Sequence, residues 1–98
     1  MSPAAVEYLE FLRVAALSAG IYRLAAGSAD PQSPHEEDEI YVVMEGRATL
    51  LVDGERRPIS RGSVAFVAAR VEHRFEDITE DLVAVVLFAP AESEAGES

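Results

Sequence analysis

Two histidines are all this chain has, and each lies where it could do chemistry. His35 opens the run His35-Glu36-Glu37-Asp38-Glu39, which passes straight into Ile40-Tyr41-Val42-Val43. His73 stands far along the chain, at the start of another strand-like stretch. Two imidazoles and the Glu39 carboxylate could hold one divalent metal ion if a small β-barrel brought them to a common point. A plainer reading stands beside it. A histidine on an apolar face is more often a hydrogen-bonded core residue, and Glu39 is then one more solvated acid in an acidic run.

Spacing limits how His35 and Glu39 could share an ion. A helix would place them one turn apart on one face, but Pro31 and Pro34 precede them and β-branched residues follow. In a flat strand four residues span roughly 13 Å, at about 3.3 Å each, which is too far. A bend over residues 36–38, three acids that form strands poorly, is therefore required.

Composition removes several other chemistries. There is no cysteine, hence no disulfide, thiol nucleophile or thiolate metal site. All eight basic residues are arginine; without lysine there is no Schiff base and no phosphate loop of the Gly-Lys-Ser kind. A formal charge of −10 repels nucleic acid and anionic lipid, so neither is an expected partner. Ninety-eight residues suffice for one domain. No apolar run reaches membrane-spanning length, and the N-terminus lacks a basic start and apolar core, so a cytoplasmic protein is expected.

The elements that must position these residues read as short strands. Ser2-Pro3 could cap a helical turn with Val6, Leu9 and Phe11 or Leu12 on one side. Residues 13–17 and 20–26 read as strands broken at 18–20, with Tyr22 and Leu24 on one face. Residues 27–34 form a loop with little to pack. Strands follow at 40–43, 48–52, 55–59, 63–68, 73–75 and 82–89, the last apolar enough for burial on both faces. Turns fall at Glu45-Gly46, Asp53-Gly54, residues 60–62 and the acidic 77–81; Asp53-Gly54 is a strong two-residue hairpin signal. About eight closely spaced strands make an all-β sandwich or jelly-roll barrel, with its core over about 13–90. Residues 91–98 are small and acidic, expected as a disordered tail.

On these residues the chain resembles a small single-domain cupin over roughly residues 20–90. The cupin pattern G-x5-H-x-H-x3,4-E-x6-G is met by Gly27, His35, Glu39 and Gly46, with Ser33 where the first histidine falls. The second pattern, G-x5-P-x-G-x2-H-x3-N, is met by Gly62 and His73; Ala68, Arg70 and Asp77 replace proline, glycine and asparagine. The resemblance implies a jelly-roll barrel that holds a divalent transition metal (Fe, Mn, Ni, Co or Zn) through His35, Glu39 and His73. Ser33 is a weak ligand, so water takes its place and coordination positions stay open, as in non-haem Fe(II) oxygenases. Arg70, standing where glycine eases a tight turn, either strains the backbone or points into the barrel mouth.

Further residues are expected around a small-molecule ligand: Ser33, Tyr22, Tyr41, Phe66, Arg70 and Phe75. Tyr41 shares the alternation of Glu39, so its hydroxyl could face the ligand and is the candidate catalytic group; core packing is its plainer role, and that of Tyr22. Phe66, Phe75, Val64 and Val85 are expected as apolar lining. Arg23, Arg47 and Arg70 could pair with an anionic substrate, or merely balance charge. Glu36, Glu37 and Asp38 are expected to face solvent, though one could move in as a substitute ligand. The family resemblance implies a metal-dependent enzyme of oxygenase or isomerase type, a non-catalytic ligand-sensing module, or a degenerate barrel that has lost its metal. It also implies a homodimer with residues 6–12 and the first strand near the contact.

Overall fold

The computed structural model describes residues 6–31 and 34–93. Six strands make up the fold: β1 (Val6–Val14), β2 (Leu17–Leu24), β3 (Asp38–Val52), β4 (Glu55–Ser60), β5 (Val64–Val67) and β6 (His73–Ala89). They form one antiparallel sheet in the order β1-β2-β6-β3-β4, with β5 also on β3. No helix occurs among the described residues.

Six strands rather than eight result because two pairs of expected strands are continuous. β3 joins 40–43 to 48–52, and β6 joins 73–75 to 82–89. Each bends midway instead of turning. In β3 the inward residues are Glu39, Tyr41 and Val43, then Ala48 and Leu50, so the parity flips from odd to even. Register shifts between Val43 and Thr49 absorb the flip. β6 does the same: His73 and Phe75 face inward, then Ile78, Leu82, Ala84, Val86 and Phe88. Asp77, at φ 48°, marks its change. Two strands that bend together carry the sheet around a single core drawn from β2, β3, β4, β5 and β6. The stretch 82–89 thus buries one face fully and the other only halfway.

Gly46 is what lets β3 bend against β6. It sits at φ 98°, and a Cβ there would strike the Asp81 carbonyl oxygen and Leu82 Cα, both backbone. Asp53-Gly54, at φ 50° and 84°, closes the expected hairpin between β3 and β4.

The N-terminal region is a strand where a helical turn was expected. β1 pairs with β2 from Val6↔Leu24 to Val14↔Leu17, and the chain reverses at residues 15–16 rather than 18–20. Ladder hydrogen bonds to β2 outweigh the weak helical spacing of its apolar residues. Tyr8 lies flat over Gly20, so closely that any Cβ there would meet its ring. Of the stretch expected as a tail, residues 91–93 pack on the barrel; 94–98 lie outside the described residues.

Candidate functional site

The chain bends at Glu36 and Glu37, as sharing an ion required, and then enters β3. His35, Glu39 and His73 each offer one ligand atom, and the three atoms lie within 4.8 Å of one another. Glu39 is fixed by the ladder on both sides, opposite Val67 of β5 and Phe88 of β6. His73 begins β6, opposite Val52. The backbone of His35 is tied to the next loop, its carbonyl accepting the Arg70 amide at 2.6 Å.

The His73 ring is oriented by its own backbone. Its Nδ1 lies 2.8 Å from the Val71 carbonyl, which can only accept, so Nδ1 carries the proton. Nε2 then faces Glu39 Oε1 at 2.9 Å, with both side chains 1% exposed. Despite that distance, Nε2 and both Glu39 oxygens lack a well-directed hydrogen bond. Burial disfavours the charged ring, but the Glu39 carboxylate, the Val71 carbonyl and Asp30 outweigh it and hold the imidazole above its usual value. Two acceptors at 2.9 Å repel unless a cation, proton or metal, lies with them. Leaving a carboxylate buried without that partner costs several kcal/mol. The donor set therefore fits a divalent metal: two imidazoles and one carboxylate gathered at one point, with His73 Nε2 and the Glu39 carboxylate unspent.

Aromatic rings wall the site. The His35 ring packs on Phe88 at 5.0 Å and lies 5.9 Å from His73. Tyr41 is buried, 6.1 Å from His73 and 4.9 Å from Phe75. Phe75 is buried and packs on Tyr22 and Tyr41. Tyr22 donates its hydroxyl to Asp30 Oδ1 at 2.5 Å, and Asp30 Oδ2 accepts the Phe75 amide at 2.8 Å. Burial first, then Asp30, pushes the Tyr22 phenol well up, so it stays a donor.

Other expectations are corrected. Phe66 and Val64 face outward, because the alternation of β5 turns Ala65 and Val67 toward the core. They border a groove of about 670 Å³ between β4 and β5 that contains none of His35, Glu39 and His73. Arg70 takes the strained backbone, φ 65°, and its exposed guanidinium pairs with Glu36 at 3.3 Å instead of entering the barrel. Arg23 and Arg47 pair outside with Glu7 and Glu80. Ser33 lies outside the described residues.

Four site residues were not foreseen. Asp30 is buried in a loop expected to pack little; Glu37 is buried in a run expected to face solvent; Glu92 is buried in the supposed tail. Tyr8 joins them from β1: its ring meets Tyr22 and Phe88 edge-on. Burial pushes its phenol up, with the charges of Glu92, Glu10 and Glu39 adding and Arg13 opposing, which places it in the field of the site. Glu37 and Glu92 lie in acidic stretches and Asp30 in a polar loop, none of which signals burial in sequence; Tyr8's alternation alone could have marked it.

Comparison with known proteins follows this geometry. The family model "Cupin domain" matches residues 20–90. An uncharacterised protein of Streptomyces coelicolor is 49% identical over 86 residues, covering 88% of this chain and 82% of its own. The structure of KdgF from Halomonas sp. superposes with TM-score 0.84 at 21% identity, over 93% of this chain and 84% of that one. An RmlC-like cupin with a double-stranded β-helix fold, from Methanocaldococcus jannaschii, superposes with TM-score 0.77 at 18% identity, over 87% and 80%. At these identities the superpositions speak for the fold alone.

Proposed function

This chain belongs to the cupin family, and from that premise we propose that it is a metal-dependent cupin acting on a small organic molecule, of oxygenase or isomerase type. The observation that carries the reading is the unspent, buried pair of Glu39 and His73 Nε2. His35, Glu39 and His73 would hold a divalent transition metal. Bound there, the ion supplies a Lewis acid that polarises a ligand oxygen. A degenerate barrel would gain stability by replacing the pair with apolar residues, so its retention favours a working site.

The surrounding residues narrow the ligand. Asp30, Glu37, Glu39 and Glu92 are buried, whereas all eight arginines are exposed. An anionic ligand would find no buried arginine and several carboxylates against it, so an uncharged or amine-bearing molecule fits better. Tyr41, whose ring lies 6.1 Å from that of His73, is the candidate hydroxyl. Tyr22 serves indirectly: it holds Asp30, which in turn fixes the Phe75 amide.

Equilibrium dialysis against Fe²⁺, Mn²⁺, Ni²⁺, Co²⁺ and Zn²⁺ tests the reading. One ion per chain is expected, and the visible spectrum of the Co²⁺ form should respond to neutral or amine ligands more than to carboxylic acids. Failure to take up any of these ions would refute it.

A further inference from the structure

Glu92 lies outside both patterns that marked the site, yet the fold holds it against His35. Its amide donates to Ser18 Oγ at 2.8 Å, and the Ser93 amide donates to Glu37 Oε2 at 3.2 Å. Ser18 and Glu37 are themselves buried. Held by these two bonds, Glu92 is 5% exposed and its Oε2 stands 3.5 Å from His35 Nδ1.

Burying another carboxylate, beside His35, is costly, and the arrangement has a use. The His73 ring is held through Nδ1 by the Val71 carbonyl, which presents Nε2 to Glu39. His35 meets Glu92 through the same ring atom. We propose that Glu92 is a positioning residue of the metal centre: its carboxylate accepts the Nδ1 proton of His35, fixes the tautomer and turns Nε2 toward the point shared with Glu39 and His73. A carboxylate behind a ligating imidazole also makes the ring a stronger donor. Both histidines are then oriented from Nδ1, one by backbone and one by a side chain remote in sequence. The inference rests on the metal reading above.

Two measurements on wild type, Glu92→Ala and Glu92→Gln separate the claims. In metal-free protein, at a pH where His35 is neutral, ring ¹⁵N shifts should show the Nδ1–H tautomer in wild type and a shift toward Nε2–H in Glu92→Ala. In titrations with Zn²⁺ alone, Glu92→Ala should bind about ten- to a hundredfold more weakly, with Glu92→Gln between, because it keeps an acceptor but loses the charge. A role in packing alone would lower the melting temperature and move neither readout. An unchanged tautomer, or Zn²⁺ affinity equal within error in all three, overturns the proposal. Absence of Zn²⁺ binding by wild type overturns the metal reading and Glu92's role in it, while the tautomer still reports the contact itself. If Glu92→Ala does not fold, Glu92→Gln decides: unaltered Zn²⁺ affinity there overturns the proposal.

Discussion

His73 Nε2 and Glu39 Oε1 stand 2.9 Å apart in the barrel interior, and the proton of the other ring nitrogen is already donated to the Val71 carbonyl in a hydrogen bond. The pair is stable only with positive charge beside it, and on the proposed reading a proton and a metal would compete for that place. The chemistry of the site follows from this competition.

The competition has a definite sign in pH. His73 is held above its ordinary value in the folded chain. A group so raised stabilises the fold fully below its unfolded value, about 6.5, and loses that contribution as pH rises through the folded value. In chelator, unfolding midpoints should therefore fall from about pH 6.5 upward, the unfolded histidine value. Glu39→Gln should flatten the slope, since it removes the carboxylate. Metal affinity should run the other way and weaken as pH falls, because the ion must displace the proton. Chemical denaturation in chelator and metal titration, each across pH, check both signs; midpoints that rise over this range in chelator would contradict the account.

The bend of β3 is testable at one residue. Gly46→Ala places a Cβ against backbone of Asp81 and Leu82 at positive φ, so neither side can yield cheaply. A loss on the order of 2–4 kcal/mol is expected. Gly54→Ala has the same sign of φ but open space and should cost only about 1 kcal/mol. Urea denaturation of both variants makes the comparison; equal losses would remove the bend's dependence on Gly46.

How much of this was legible in sequence depends on what each residue signals. Asp53-Gly54 and residues 60–62 punctuate the chain by backbone preference alone, and the turns fall there. The cupin patterns brought out His35, Glu39 and His73, which the fold gathers at one point. The continuity of β3 and β6 was hidden, because a bulge and a turn both look like Gly or Asp between apolar runs. Phe66 misled because alternation separates two faces without saying which is inner when both are apolar. β1 misled because Val6, Leu9 and Leu12 recur at helical spacing.

The same ambiguity points to a second copy. Two rows cross five strands on the outer face, Leu9-Ile21-Val85-Val42-Val64 and Leu12-Ala19-Leu87-Ile40-Phe66. Leu9 is 66% exposed, Val64 68% and Phe66 61%. Phe11, Val14 and Met44 are also exposed, and a standard interface takes about 800 Å² from each partner. We propose a homodimer across this face, with β1 at its margin. Light scattering at micromolar concentration should give twice the chain mass, and Leu9→Glu with Phe66→Glu should halve it. A wild-type monomer would contradict this.

The most direct test of the central claim is anomalous diffraction from crystals grown with Mn²⁺, Fe²⁺, Ni²⁺, Co²⁺ or Zn²⁺, with data collected on both sides of the metal's absorption edge. The account predicts one strong peak per chain, bounded by His73 Nε2, a Glu39 carboxylate oxygen and a ring nitrogen of His35, and its disappearance in His73→Ala. Crystals grown with each of these ions that show no peak at that point, or a peak there that survives His73→Ala, would contradict it.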